Sequence, residues 1–339
     1  MNVYFLEWNA NYEKLMIKNL GSHGVTEIKN IMKHFTRNNI RLKKTNINNW
    51  LFVKMHVFLK LRKIKKDDLI ICNGYSFLGF LDIIKTLPCK KALVIRDTII
   101  HLERGMKENK KWLPPDGDII QEIDSHFDKV YSFDPSDCKK YDFIYLKQFL
   151  PFTSQDIGTI LKTSIKSKLS EKLCFFIGEH RPDREKSLQD LFPYFKRLNY
   201  KPDFYLFDKH NKSIDYPFFC KNQSLDYKEN IQKVIESDVV IEINHPGQDG
   251  LTLRTIEALA FNKKIITNNI KIMQYDFYND DRFFILGYND IDSLQRFLER
   301  PLTPVDIDSI KEYTADRMLN RLVSDIYHHN SPQQSNIFN

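Results

Sequence analysis

The chain has 339 residues, 42% of them hydrophobic, and a net charge of +7 at neutral pH. That length suits about two domains of ordinary size, and the apolar fraction is enough to build buried cores, which excludes a disordered or fibrous chain. No apolar run reaches the roughly 18–20 residues that span a bilayer. The start, MNVYFLEWNANYEK, lacks the basic segment and small-residue cleavage site of a secretory signal, so a cytoplasmic protein is expected.

The start instead reads as a first strand over residues 3–6. A helix is predicted over 24–38, and strands over 68–72, 92–95 and 130–133. This alternation of short apolar strands with helical stretches predicts a parallel sheet covered on both faces, here assigned to a first domain over 1–152. From Arg41 to Lys66 inclusive there are nine Lys/Arg and no acid, with Trp50, Val53, Val57, Phe58, Leu61 and Ile64 recurring at helical spacing. Such a basic amphipathic helix suits an anionic membrane surface, and equally a helix packed on the core with a solvated basic face. The charge alone would also suit nucleic acid, but no nucleic-acid-binding motif accompanies it.

A polar, Lys- and Ser-rich stretch over 153–171 is the predicted linker. The strand–helix pattern then restarts over 172–305, with strands at 173–177, 204–207, 239–243, 264–267 and 283–285. A last helical segment within 306–330 is expected to cross back to the first domain, and the polar tail 331–339 to be disordered. The expected architecture is therefore α/β, with two doubly wound, Rossmann-like domains facing a central cleft. Ligands of such sheets bind outside the carboxyl ends of the strands. Five scattered cysteines without metal spacing read as reduced structural thiols.

The segment DVVIEINHPGQDGLTLRTIEALAFNKKIITNN, residues 238–269, is the most informative. A buried strand ends at Asn244. The turn His245-Pro-Gly247-Gln-Asp249-Gly250 leads through Leu251 and Thr252 into a helix. Free N–H groups at a helix start suit a pyrophosphate, and Gly247 and Gly250 permit close backbone approach. Arg254 can add charge to the phosphate or pair with Glu257. Glu257 can accept ribose hydroxyls or serve only that pair. In a second segment, FFIGEHRPDREKSL, Gly178 is followed by His180, Arg181 and Arg184. These guanidinium groups suit bidentate phosphate contact, whereas a plain surface loop would pair Asp183 with an arginine.

The spacing of Asp249, seven residues, then Glu257-Ala-Leu-Ala260 resembles the nucleotide-sugar glycosyltransferases of the GT-B fold. Two departures are Asp249 for the usual glutamate and Asn262 for the usual glycine. With FIGEHRPDR and Phe277-Tyr278-Asn279, the segments from about residue 130 to 279 look like bacterial lipopolysaccharide and capsule glycosyltransferases. The resemblance implies a nucleotide-sugar donor, UDP- or GDP-linked, and a surface-glycan or glycolipid acceptor. It implies that Asp249 approaches the transferred sugar, that Glu257 holds the ribose, and that no metal or other cofactor is needed. His245-Pro246 also resembles the His-Pro pair of CMP-sugar transferases of the sialyl and Kdo type. For an inverting reaction the base candidates lie after first-domain strands, at Asp97 and His101, with Glu7 and His23 as further candidates. Asp116-Gly-Asp118 and Asp290-Ile-Asp292 have Asp-x-Asp spacing but read as turn or helix-start acids. The other readings are a non-catalytic glycan- or nucleotide-binding module of the same fold and a different enzyme on the same scaffold, such as a nucleotide-sugar epimerase or polyol-phosphate transferase.

Overall fold

The computed structural model describes residues 1–29, 32–45, 47–109, 118–163, 171–208 and 217–327. The predicted tail 331–339, Asp116 and residues 164–170 of the predicted linker lie outside them. Two compact units are present: Met1–Thr153 with the chain from Ala315 onward, and Ser154–Thr314.

The first unit holds β1 (Val3–Leu6), β2 (Val25–Ile28), β3 (Leu69–Asn73), β4 (Lys90–Ile95), β5 (Lys129–Ser132) and β6 (Ile144–Tyr145). They form one parallel sheet in the order β2-β1-β3-β4-β5-β6. Strand side chains alternate between faces. Leu6, Ile70, Cys72, Leu93 and Ile95 therefore enter one core, with Phe35, Val53, Ile83 and Ile99. Val3, Phe5, Ile71 and Val94 enter the other, against Met16 and Ile17. That second core is completed by Ala315, Met318, Leu319, Leu322 and Ile326 of the helix Ala315–Tyr327. Because both faces are covered, the strands read as nearly unbroken apolar runs.

Residues 24–38, expected as one helix, divide into β2 and the helix Met32–Lys44. Gly24 stands at φ +71 and ends a 3-10 turn, and the β-branched Val25, Thr26 and Ile28 favour the strand. The basic stretch forms the helix Trp50–His56 and a π-turn, Val57–Leu61. Val53, Leu61 and Ile64 are buried, but Trp50 and Phe58 point outward rather than joining them.

The second unit holds β7 (Lys172–Glu179), β8 (Tyr200–Phe207), β9 (Cys220–Lys221), β10 (Val239–Glu242), β11 (Lys264–Thr267) and β12 (Phe283–Ile285). Its parallel order is β12-β11-β10-β7-β8-β9. This is the doubly wound order in which the winding reverses once, here between β7 and β10. Leu188, Leu191 and Phe195 of the helix Pro182–Arg197 pack on Phe176, Phe204, Val239 and Ile241. Residues Ser154–Thr163 are helical and belong to this unit. Among the described residues no helix is long and apolar enough to cross a membrane, and no His/Cys/Asp/Glu group could hold a metal. Asp118 and Asp290 each cap a short helical turn.

Candidate functional site

In a doubly wound sheet the crevice opens where adjacent crossovers leave in opposite directions, beyond the strand carboxyl ends. In the second unit that point lies between the segments leaving β7 and β10. The first carries Glu179, His180 and Arg181 into the helix Pro182–Arg197. Pro182 stands at its first turn, where a missing N–H costs nothing. The second leads through residues 243–252 into the helix Leu253–Ala260.

Arg181 lies across this point. Its Nε and Nη2 grip Asp183 at 3.0 and 2.7 Å, and Nη2 also donates to the Asn244 carbonyl at 3.0 Å. Its Nη1 is buried and meets no acceptor among the described residues. The Asn244 side-chain Nδ2 is likewise buried and unpartnered. Two neighbouring N–H donors thus lack acceptors at the reversal point, and buried donors left so cost about 1–3 kcal/mol each. Asn268, one residue past β11, fixes the Asn244 backbone, accepting its N–H at 2.7 Å and donating to its carbonyl at 3.3 Å.

Arg184 is committed to the backbone. Its Nε donates to the Ile243 carbonyl at 3.1 Å and its Nη1 to the Glu179 carbonyl at 3.0 Å. Burial, with the charge of Arg181 adding to it, pulls its pKa down to about 10, so it stays charged at neutral pH. Gly178 makes room for it, since a Cβ there would stand 2.9 Å from Arg184 Nη1. His180 pairs with Glu185 at 2.7 Å.

His245, Pro246, Gly247 and Gln248 form a turn closed by Gln248 N–H donating to the His245 carbonyl at 3.1 Å. Proline second and glycine third, with Gly247 at φ +80, are what a type II turn demands. Gly247→Ala should therefore cost about 1 kcal/mol in thermal denaturation, with Gly247→Asn milder because asparagine tolerates this region. Asp249 is half-buried, and its carbonyl accepts from Asn269 at 3.4 Å. Gly250 and Leu251 are buried, and Thr252 caps the helix through Arg254 N–H at 3.1 Å.

Glu257 is only 1% exposed. It accepts from Arg254 Nη1 at 2.7 Å and, more weakly, from Asn230 at 3.4 Å. Arg254 also donates to Asn230 and stacks 5.4 Å from the Phe175 ring. The Arg254–Glu257 pair is therefore enclosed rather than on a solvated face. Asn262, where the resembling motif has glycine, stands at φ +53, and its side chain accepts from Arg282 at 2.8 Å. Asparagine adopts this left-handed backbone more readily than most residues.

Sequence reasoning passed over Glu242. It ends β10, buried, and its carboxylate accepts from Thr252, from Thr255 at 2.6 Å and from Thr267 at 2.7 Å. It ties the helix start beside the turn to β10 and β11. The signal was available as an acid inside the apolar run VVIEI.

In the first unit, Asp97 follows β4. One carboxylate oxygen accepts from Thr98 N–H at 2.8 Å, and the other from the Tyr75 hydroxyl. His101 Nε2 lies 3.6 Å from Asp97, so these two candidates meet. Arg96 is stacked between the rings of Tyr12 and Phe149. Glu7 is buried after β1 at φ +54, while His23 precedes β2 and so lies at the opposite, amino-terminal edge of the sheet. Phe277 packs with Tyr275, Phe283 and Tyr313.

No protein-family model matches the chain, and no curated protein matches its sequence. Solved structures do match its fold. An α,α-trehalose-phosphate synthase (UDP-forming) from Burkholderia xenovorans, in complex with glucose-6-phosphate, has a TM-score of 0.59 at 10% identity, covering 96% of this chain and 100% of that one. A sucrose-phosphate synthase from Thermosynechococcus elongatus gives 0.56 at 9% identity, over 96% and 99%. An Escherichia coli protein bound with UDP-2-fluoro glucose gives 0.52 at 11%, over 96% of each chain. The fold is that of the GT-B glycosyltransferases, with two parallel six-stranded sheets flanked by helices.

Proposed function

We propose that this protein is a glycosyltransferase that moves a sugar from a nucleotide-sugar donor onto a bacterial surface glycan or glycolipid, such as lipopolysaccharide, O-antigen or capsule. The observation that carries the reading is the pair of unpartnered buried donors, Arg181 Nη1 and Asn244 Nδ2, at the β7/β10 reversal. They call for an acceptor-rich anion, and two helices begin beside them. A donor diphosphate meets that need. UDP is the favoured carrier, since two similar structures are named for UDP-forming synthesis and for a bound UDP-sugar.

In the proposed reaction an acceptor hydroxyl oxygen bonds to the anomeric carbon. The bond from that carbon to the β-phosphate oxygen breaks, and the electron pair leaves with the nucleoside diphosphate. Arg181 stabilises the charge that develops there. Arg184 acts by holding the two strand ends in place. Glu257, enclosed in its pair with Arg254, reaches the ribose hydroxyls only if that pair opens. Asp97, backed by His101, is the proposed base if configuration inverts, and Asp249 faces the transferred sugar.

Thermal denaturation with UDP, GDP, CMP and ADP, followed by incubation with the matching sugar donors, tests the proposal. A nucleoside diphosphate should raise the melting temperature through binding to the native state. Its sugar donor should be hydrolysed slowly without acceptor. Stabilisation by CMP alone would redirect the reading to CMP-sugars. Nucleotide binding with no hydrolysis or transfer would leave a binding module.

A further inference from the structure

A large contiguous apolar patch on a protein surface usually marks a site of interaction with protein or membrane. The segment Trp50–Leu61 is enclosed on one side only. Val53 and Leu61 enter the core of the first unit. On the outer side Leu51 is 71% exposed, Leu59 64%, Phe58 63%, Trp50 55% and Met55 48%. Other exposed large apolar residues are scattered singly or in pairs, which is ordinary for a protein surface. Here five fall within ten residues, and none of the described residues covers them.

Cations are interleaved with them. Lys54 Nζ sits 4.1 Å from the Trp50 ring centre, and the Arg62 guanidinium 5.8 Å from that of Phe58. Lys60, Lys63, Lys65 and Lys66 are exposed nearby. Their aliphatic stems can lie along apolar surface while the charges reach outward. No acid occurs between Arg41 and Lys66.

We propose that this face docks on the surface of an anionic phospholipid bilayer. Trp50, Leu51, Phe58 and Leu59 would enter the headgroup–acyl boundary, and the lysines and Arg62 would meet lipid phosphates. An in-plane amphipathic segment with aromatic and aliphatic residues on one side and cations at its rim has this chemistry. A second copy fits less well, because a two-fold contact would set the cations of this segment against one another. Nucleic acid fits less well too, because Leu51, Met55 and Leu59 offer nothing to a phosphate backbone. The inference does not depend on the proposed transferase activity.

The test is co-sedimentation of the full chain with vesicles of phosphatidylcholine, with or without phosphatidylglycerol. Binding is expected only to the anionic vesicles and should weaken as salt is raised. The combined variant Trp50→Ser, Leu51→Ser, Leu59→Ser, and separately Lys54→Glu with Lys60→Glu, should each reduce binding about tenfold or more. Both sets of side chains are exposed, so thermal stability and nucleotide binding should stay at the wild-type level. Failure of the wild type to bind anionic vesicles would overturn the proposal, as would undiminished binding by both variants. It would also fall if the same substitutions instead abolished binding to a DNA duplex or dissolved a dimer.

Discussion

Arg181→Ala should weaken binding of the favoured nucleoside diphosphate about 10- to 100-fold, the scale expected when a charge-assisted hydrogen-bonding partner is removed. The loss should appear in titration calorimetry and, with donor and acceptor supplied, in kcat/KM. Arg181 is suited to this because its Nη1 is buried without an acceptor while its other nitrogens are anchored by Asp183 and the Asn244 carbonyl. The side chain is held ready, so little ordering is needed when an anion arrives. Arg181→Lys would keep the charge but lose the fork, and should recover only part of the affinity. Asn244→Ala removes a neutral donor and should cost less. Wild-type nucleotide affinity in Arg181→Ala would remove the site from this part of the sheet.

Glu242→Ala should be among the most destabilising single changes in the second unit, at about 3–5 kcal/mol, because it strands hydroxyls that are now satisfied. Thr252, Thr255 and Thr267 all donate to this one carboxylate, from a helix start, the helix body and the neighbouring strand. Without it the start of Leu253–Ala260 loses its tie to β10. Glu242→Gln keeps one carbonyl acceptor, and hydroxyls can turn to accept from its amide, so it should recover much of the loss. The check is the melting temperature of the three proteins. A loss in Glu242→Ala below about 1 kcal/mol, the range of ordinary surface changes, would show that the threonines find other partners.

The fold was largely legible because parallel sheets covered on both faces announce themselves as short apolar runs. DLIIC, LCFFI and VVIEI each became a strand. The edge strand β2 was hidden because Val25–Ile28 is only partly buried and its residues suit a helix period as well. At the site, glycine and proline carried most of the signal. Gly247 and Pro246 take the places their turn requires, and Gly178 makes the space that Arg184 fills. The division of labour between the two arginines was not legible. Only the folded structure distinguishes Arg184, spent on two carbonyls, from Arg181, with a nitrogen to spare. The Arg254–Glu257 pair could be read from its i,i+3 spacing, but its burial could not, since that depends on Asn230 and Phe175 from elsewhere in the unit. Glu242 was missed because strand periodicity says which face a residue occupies, not which hydroxyls await it there.

The core of the first unit includes residues that follow the whole of the second in the chain. A ribosome must therefore release Ser154–Thr314 before Met318, Leu319 and Leu322 can reach the sheet built from β1, β3 and β4. During synthesis the inserted unit can close on itself first, while its host waits with one sheet face incompletely covered. The insertion's own ends already meet, with the Ser154 and Thr314 hydroxyls 3.0 Å apart. That adjacency makes the segment suitable for excision, or for relocating its termini, by recombinant design.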